Sequence, residues 1–177
     1  KLINEIANSL NKVVNIGIRL NPDIDGNTQN KITTGKKTDK FGININQLQD
    51  IFSEFNSYKN INIIGISCHI GSQLQDLKIF ENVFSTMRKT ADTFLSEGIK
   101  IEHIDLGGGF AVNYELNLNS LDIDSIGKLV NKIFNQSNYK MSFEPGRYLV
   151  AKSGVIITKI LTIKENGGIN FLITDAG

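Results

Sequence analysis

Four short apolar runs recur along this chain, at residues 13–20, 61–66, 101–106 and 140–143, and each ends in a polar or glycine-rich motif. Between them the apolar residues take a helical spacing instead. Leu48, Ile51, Phe52 and Phe55 follow the i, i+3, i+4, i+7 pattern. Longer stripes run through Leu77, Phe80, Phe84, Met87, Ala91, Phe94 and Leu95, and through Ile126, Leu129, Val130, Ile133 and Phe134. Strand starts about 40 residues apart with a helix between them predict successive βα units, hence parallel strands with helices outside. The first run leaves through Asn21-Pro22-Asp23 into a polar loop over 21–44, a length typical of functional or mobile connections. Near residue 153 the period changes. Runs at 155–163 and 170–175, joined through Glu165-Asn166-Gly167-Gly168, predict a hairpin. The expected division is a βα domain over 1–152 and the beginning of a β-rich domain over 153–177.

Four βα units make half of an eight-stranded barrel, which needs ~250 residues when complete, or part of a doubly wound open sheet. The polar residues favour the barrel, because each strand carries its chemistry at its C-terminal end: Arg19, His69, Gly107-Gly108-Gly109, then Glu144 and Arg147. Strand alternation puts Asn15, Gly17 and Arg19 on one face, Gly65, Ser67 and His69 on one face, and Ser142 with Glu144. Small residues low on the face and functional ones at the rim suit a tapered barrel interior. The chain starts at Lys1 and stops directly after Phe171-Leu172-Ile173 and four more residues, so it is expected to be part of a longer protein.

Composition removes several partner classes. Nineteen Lys+Arg against 18 Asp+Glu leave a net charge of +1, and there is no run of five basic residues, so neither nucleic acid nor an anionic membrane surface is expected as a partner. No stretch approaches the ~18 apolar residues of a membrane span, and residues 1–11 lack the apolar core of a signal peptide. The single cysteine, Cys68, excludes an internal disulfide framework and a cysteine-based metal cage, and fits the cytoplasm. Cys68 and His69 point to opposite faces, and no other metal-ligand spacing exists, so no metal is expected.

Gly107-Gly108-Gly109 has two readings: a tight strand-to-loop turn, or a cradle whose amides turn toward an anion. Nothing matches the dinucleotide fingerprint after this strand, and Thr34-Gly35-Lys36-Lys37-Thr38 fails the P-loop pattern, which disfavours nucleotide phosphates. His69, beside Gly71 and Ser72, is either structural or placed to stack on a flat ligand. His103, inside a strand, is expected to be packed and hydrogen-bonded. Glu144-Pro145-Gly146-Arg147 is the sharper signal, because a carboxylate and a guanidinium at a strand end need partners, either each other or a ligand.

Taken in order, Arg19-Leu20-Asn21-Pro22-Asp23, Thr33-Thr34-Gly35 with Lys40-Phe41-Gly42, Cys68-His69-Ile70-Gly71-Ser72-Gln73, Ile104-Asp105-Leu106-Gly107-Gly108-Gly109-Phe110 and Glu144-Pro145-Gly146-Arg147 resemble the pyridoxal-phosphate-dependent diaminopimelate decarboxylases. These belong with ornithine and arginine decarboxylases to the alanine-racemase-like barrels. The resemblance implies the second half of a (β/α)8 barrel followed by the start of a C-terminal β domain, with pyridoxal 5'-phosphate as cofactor. It implies that His69 stacks on the pyridine ring, that Ser72, Gly107, Gly108, Gly109 and Gly146 hold the phosphate, and that Arg19 also contacts the cofactor. Glu144 would pair with the ring nitrogen, and Arg147 would sit by the phosphate and the distal carboxylate of the substrate. A carboxylate at the ring nitrogen favours decarboxylation over racemisation, for which the related racemases use an arginine there. The implied reaction is conversion of meso-2,6-diaminopimelate to L-lysine by a homodimer. The alternatives are an ornithine, arginine or carboxynorspermidine decarboxylase, or a non-catalytic homologue that binds a partner enzyme. The family's cofactor-linking lysine comes from the first barrel strand, upstream of these motifs. Its catalytic cysteine, which is not Cys68, comes from the C-terminal domain, so the isolated segment is expected to be inactive.

Overall fold

The computed structural model describes residues 1–24, 40–114 and 121–176. Helix α1 (Leu2–Ser9) leads into strand β1 (Val14–Asn21), and a two-residue strand β2 (Ile43–Asn44) and a 3-10 turn precede α2 (Leu48–Phe55). Then come β3 (Ile61–Cys68), α3 (Leu77–Ser96), β4 (His103–Asp105), α4 (Ile123–Phe134), β5 (Lys140–Ser142) and the one-turn helix α5 (Gly146–Val150). The first five strands form one parallel sheet in the order β2-β1-β3-β4-β5. The predicted βα alternation is therefore present, with strand ends shifted by up to two residues. The motif Thr33-Thr34-Gly35 lies outside the described residues.

Register explains which face carries what. Ile18, Ile66, Ile104 and Met141 form one rung on the helix-covered face, the first three of them buried. Arg19, Ser67, Asp105 and Ser142 form the next rung on the opposite face, the interior of a barrel wall. Ile16 pairs with Ile63 but Gly17 pairs with Gly65, so Ile64 is an extra residue in β3, a bulge. Below it Asn62 faces inward and donates to Asn15 at 3.0 Å; above it Gly65 and Ser67 face inward.

The helices start where short acidic side chains can cap them: Asp76 accepts from Lys78 N–H at the start of α3, and Asp122 from Asp124 N–H at the start of α4. The apolar stripe of α3 supplies the centre of the core. Phe80, Phe84, Met87, Ala91 and Phe94 are all buried, whereas Leu77 and Leu95 at its ends are exposed. Phe94 meets Phe52 of α2 edge-on at 4.9 Å, and Phe84 lies between Phe80 at 5.9 Å and Phe143 at 6.2 Å. Phe84→Ala should therefore cost about 3–5 kcal/mol. In the complete protein this should appear as a lower urea midpoint with an unchanged m-value.

Three readings of the pattern are corrected by the structure. Residues 155–159 are not strand: Val155, Ile156 and Ile157 are about nine-tenths exposed, and β6 begins only at Ile160 (Ile160–Asn166). Its partner β7 (Ile169–Thr174) returns antiparallel, through Gly167 and Gly168 with φ of 60° and 77°, the doubly positive turn that matches strand twist. Residues 2–9, to which the pattern assigns no element, form α1, with only Ala7 buried. Finally, His103 is half-buried on the interior face and its imidazole makes no hydrogen bond among the described residues.

Candidate active site

The strand ends converge because their loops are tied together by backbone. Leu74 N–H donates to Gly109 O at 2.8 Å, Glu144 N–H donates to Gly107 O at 2.8 Å, and Ala111 N–H donates to Leu74 O at 3.2 Å. The Gln73 amide pairs both ways with Val112, donating to its carbonyl at 3.0 Å and accepting from its N–H at 2.8 Å, as a strand neighbour would. The three central glycines permit this closeness. A Cβ on Gly107 would sit 2.3 Å from Cys68 O, on Gly108 2.0 Å from Glu144 O, and on Gly109 2.5 Å from Gly71 O.

A cavity of about 120 Å³ opens among these ends, lined by His69, Ser72, Gly109, Glu144, Gly146 and Arg147, with Phe110 and Tyr148 beside them. Six of the predicted site residues thus meet. Gly107 and Gly108 lie behind this wall. Arg19 stands on the neighbouring strand, exposed on the interior face, with its guanidinium 5.2 Å from the centre of the Phe41 ring.

His69 Nδ1 faces two groups, Gly108 N–H at 3.4 Å and Glu144 Oε2 at 3.6 Å. It cannot accept from one and donate to the other. The amide hydrogen is directed at Nδ1 whereas the carboxylate oxygen lies farther off, an arrangement that suits Nδ1 as the acceptor. The Glu144 side chain is 60% exposed while its N–H and C=O are both engaged, with Gly107 O and Gly146 N–H. A fixed backbone thus presents an accessible carboxylate. Among the described residues Glu144 and Arg147 form no ion pair, so the purely structural reading of that motif is not what the fold builds.

The donor set suits an anion at one side of the cavity. Gly107 N–H is taken by Asp105 and Gly146 N–H by Glu144 O, but Gly109 N–H, the Ser72 hydroxyl and the Arg147 guanidinium have no partner among the described residues. A Cβ on Gly146 would meet nothing within 4 Å, so the chain itself does not require glycine there, and the open space lies beside the cavity. These donors suit an anion such as a phosphate, and the His69 imidazole beside them offers a flat face. Cys68 stays out of it: 2% exposed, its thiol is pushed up to about 12, first by burial, then by Asp105, against the opposing charge of Arg19. It remains a protonated core residue. Asp105, bound by Ser142 and Gly107, is, like Gln73, a polar anchor of the site that the motif reading left without a role.

A parallel βα sheet with a donor-lined cavity at its strand ends is the arrangement of a barrel wall with its site at the rim. Residues 1–151 match the family described as pyridoxal-dependent decarboxylase, pyridoxal binding domain, and the chain belongs to that family, whose cofactor is pyridoxal phosphate. It is 36% identical over 177 residues to the diaminopimelate decarboxylase of Haemophilus influenzae, covering 100% of this chain and 43% of that protein. It is also 36% identical to that of Zymomonas mobilis, covering 99% of this chain and 42% of that protein. The structure of diaminopimelate decarboxylase from Helicobacter pylori, complexed with L-lysine, superposes with a TM-score of 0.86 at 33% identity, covering 99% of this chain and 44% of that one. The chain therefore spans less than half the length of the relatives it matches, and its fold is the expected second half of a (β/α)8 barrel. Among the described residues no helix is long and apolar enough to cross a membrane, and no three His, Cys, Asp or Glu side chains could hold a metal ion together.

Proposed function

We propose that the protein of which this chain is part converts meso-2,6-diaminopimelate to L-lysine with pyridoxal phosphate. The observation that carries the reading is the meeting of His69, Ser72, Glu144 and Arg147 around one cavity at the strand ends, in a chain that resembles diaminopimelate decarboxylases over its whole length. Bound pyridoxal phosphate supplies an electron sink for the pair left when carbon dioxide departs from the α-carbon. His69 provides the flat face on which the ring rests. Ser72, Gly109 and Arg147 bind the phosphate, with Gly107, Gly108 and Gly146 shaping the wall around it, and Arg19 contacts the cofactor from the β1 side. Glu144 holds a proton at the ring nitrogen, because an accessible carboxylate there stabilises the cationic ring.

Arg147 has a second task, gripping the distal carboxylate of the substrate in a bidentate pair. Residues 1–152 are the barrel half and 153–177 open a β-rich domain, in a protein that works as a cytoplasmic homodimer. The test is turnover by the complete protein loaded with pyridoxal phosphate. Diaminopimelate should yield lysine and carbon dioxide, and ornithine should react hardly at all. Arg147→Lys keeps the charge but loses the planar fork, and should raise KM for diaminopimelate by roughly ten- to a hundredfold. Preference for ornithine or arginine, or no turnover of any of these by loaded protein, would overturn the assignment.

A further inference from the structure

Asp105 occupies the interior rung between Ser67 and Ser142, half-buried, and both its oxygens are committed. Oδ2 accepts from Ser142 Oγ at 2.6 Å, which ties β4 to β5 by side chains as well as by backbone. Oδ1 accepts from Gly107 N–H at 2.8 Å, which closes a turn two residues further on. That turn is the mechanical centre of the site. Gly107 O holds Glu144 N–H at 2.8 Å, and the next amide, Gly108 N–H, faces His69 Nδ1. Gly107 stands at φ 69° with Cys68 O where a Cβ would be, so the turn has little room to settle elsewhere. The two side chains proposed to work on the cofactor ring, from two different strands, therefore hang on the peptides that this one carboxylate clamps. A carboxylate accepting charge-assisted bonds is a stronger clamp than a neutral oxygen.

We infer that Asp105, buttressed by Ser142, is the positioning residue of this site: by clamping the Gly107-Gly108 turn it aims Gly108 N–H at His69 Nδ1, leaves the proton of neutral His69 on Nε2, and fixes the ring plane. The inference rests on the pyridoxal-phosphate reading only for what the oriented ring serves. The orientation itself belongs to the protein without cofactor.

The experiment uses the complete protein. Its histidines are labelled with ¹⁵N, the His69 signals are identified by their loss in His69→Asn, and spectra are recorded cofactor-free with the imidazole neutral. Wild type should show a protonated Nε2 and a bare Nδ1. Asp105→Ala should give a mixture of tautomers, and in a separate titration should weaken pyridoxal phosphate binding by about ten- to a hundredfold. Asp105→Asn keeps an acceptor for Gly107 and a donor toward Ser142, so it should restore the wild-type tautomer and bind within about threefold of wild type. If Asp105→Ala does not fold, Ser142→Ala replaces it, with a partial tautomer shift and about three- to tenfold weaker binding expected. A wild-type His69 signal in folded Asp105→Ala, no rescue by Asp105→Asn, or wild-type behaviour of Ser142→Ala where it is the replacement would each overturn the inference. Should wild type bind no pyridoxal phosphate while its His69 tautomer still depends on Asp105, the functional reading falls and the positioning role stands.

Discussion

Glu144→Gln in the complete protein should lower kcat for decarboxylation by about two to three orders of magnitude while weakening pyridoxal phosphate binding by less than about tenfold. The asymmetry follows from what each contact does. The donors around the phosphate side, Ser72, Gly109 and Arg147, do not involve the Glu144 carboxylate, and both backbone groups of residue 144 stay bonded whatever its side chain. An amide in place of the carboxylate leaves the shape intact but cannot hold a proton at the ring nitrogen as an anion does. Its absence is felt most where negative charge develops in the transition state. Steady-state rates with a cofactor titration on the same preparation check this. Equal losses in rate and affinity would make Glu144 an anchor for the loop rather than a partner of the ring.

Gly108→Ala should be more damaging than any neighbouring glycine substitution whose Cβ finds space. Its Cβ would lie 2.0 Å from the Glu144 carbonyl oxygen and 2.9 Å from the carbonyl carbon, both backbone, so no rotamer change relieves the clash. The tips of β4 and β5 would have to part, breaking the Glu144 to Gly107 bond with them. The expected cost exceeds about 3 kcal/mol, as a fall in thermal midpoint together with loss of cofactor affinity. Gly146→Ala is the counterpart. With open space around its Cβ it should leave folding stability within about 0.5 kcal/mol of wild type, yet reduce pyridoxal phosphate affinity if the ligand comes as close as proposed. A Gly146→Ala protein with unchanged affinity would place the phosphate elsewhere in the cavity.

Most of the wall was legible because its signals are local. The stripes of α2, α3 and α4 and the four longer strand runs report burial of one face, which periodicity encodes directly, and the strand-end motifs needed only strand direction to be grouped at one end of the sheet. What stayed hidden depends on pairing. Strand β2 has two residues, too few for any period, and exists because β1 offers it an edge. Val155, Ile156 and Ile157 carry strong strand composition but lie exposed ahead of the first residue of β6, so composition misled. Asp105 looked like a residue preceding a glycine run. Its role emerges only when the register sets it beside Ser142 and its carboxylate against an amide two residues on. The ion-pair reading of Glu144 and Arg147 likewise could be separated from the cavity reading only by knowing that the two side chains do not meet.

The extra residue at Ile64 acts as a phase shifter. Asn62 and Gly65 both face inward although they are three positions apart, because the bulge leaves Ile64 out of the pairing and keeps the segment that ends in His69 in step with β1. If Ile64 were instead drawn into the ladder opposite Gly17, every motif would stay spelled as it is, yet Ser67 would turn toward the helices and Cys68 toward the ligand space, exchanging a polar lining for an inert thiol. Loss of the bulge residue alone would leave a regular strand with Gly65, Ser67 and His69 still on the inward face. A related chain one residue shorter at this point would therefore have a straighter strand and the same lining.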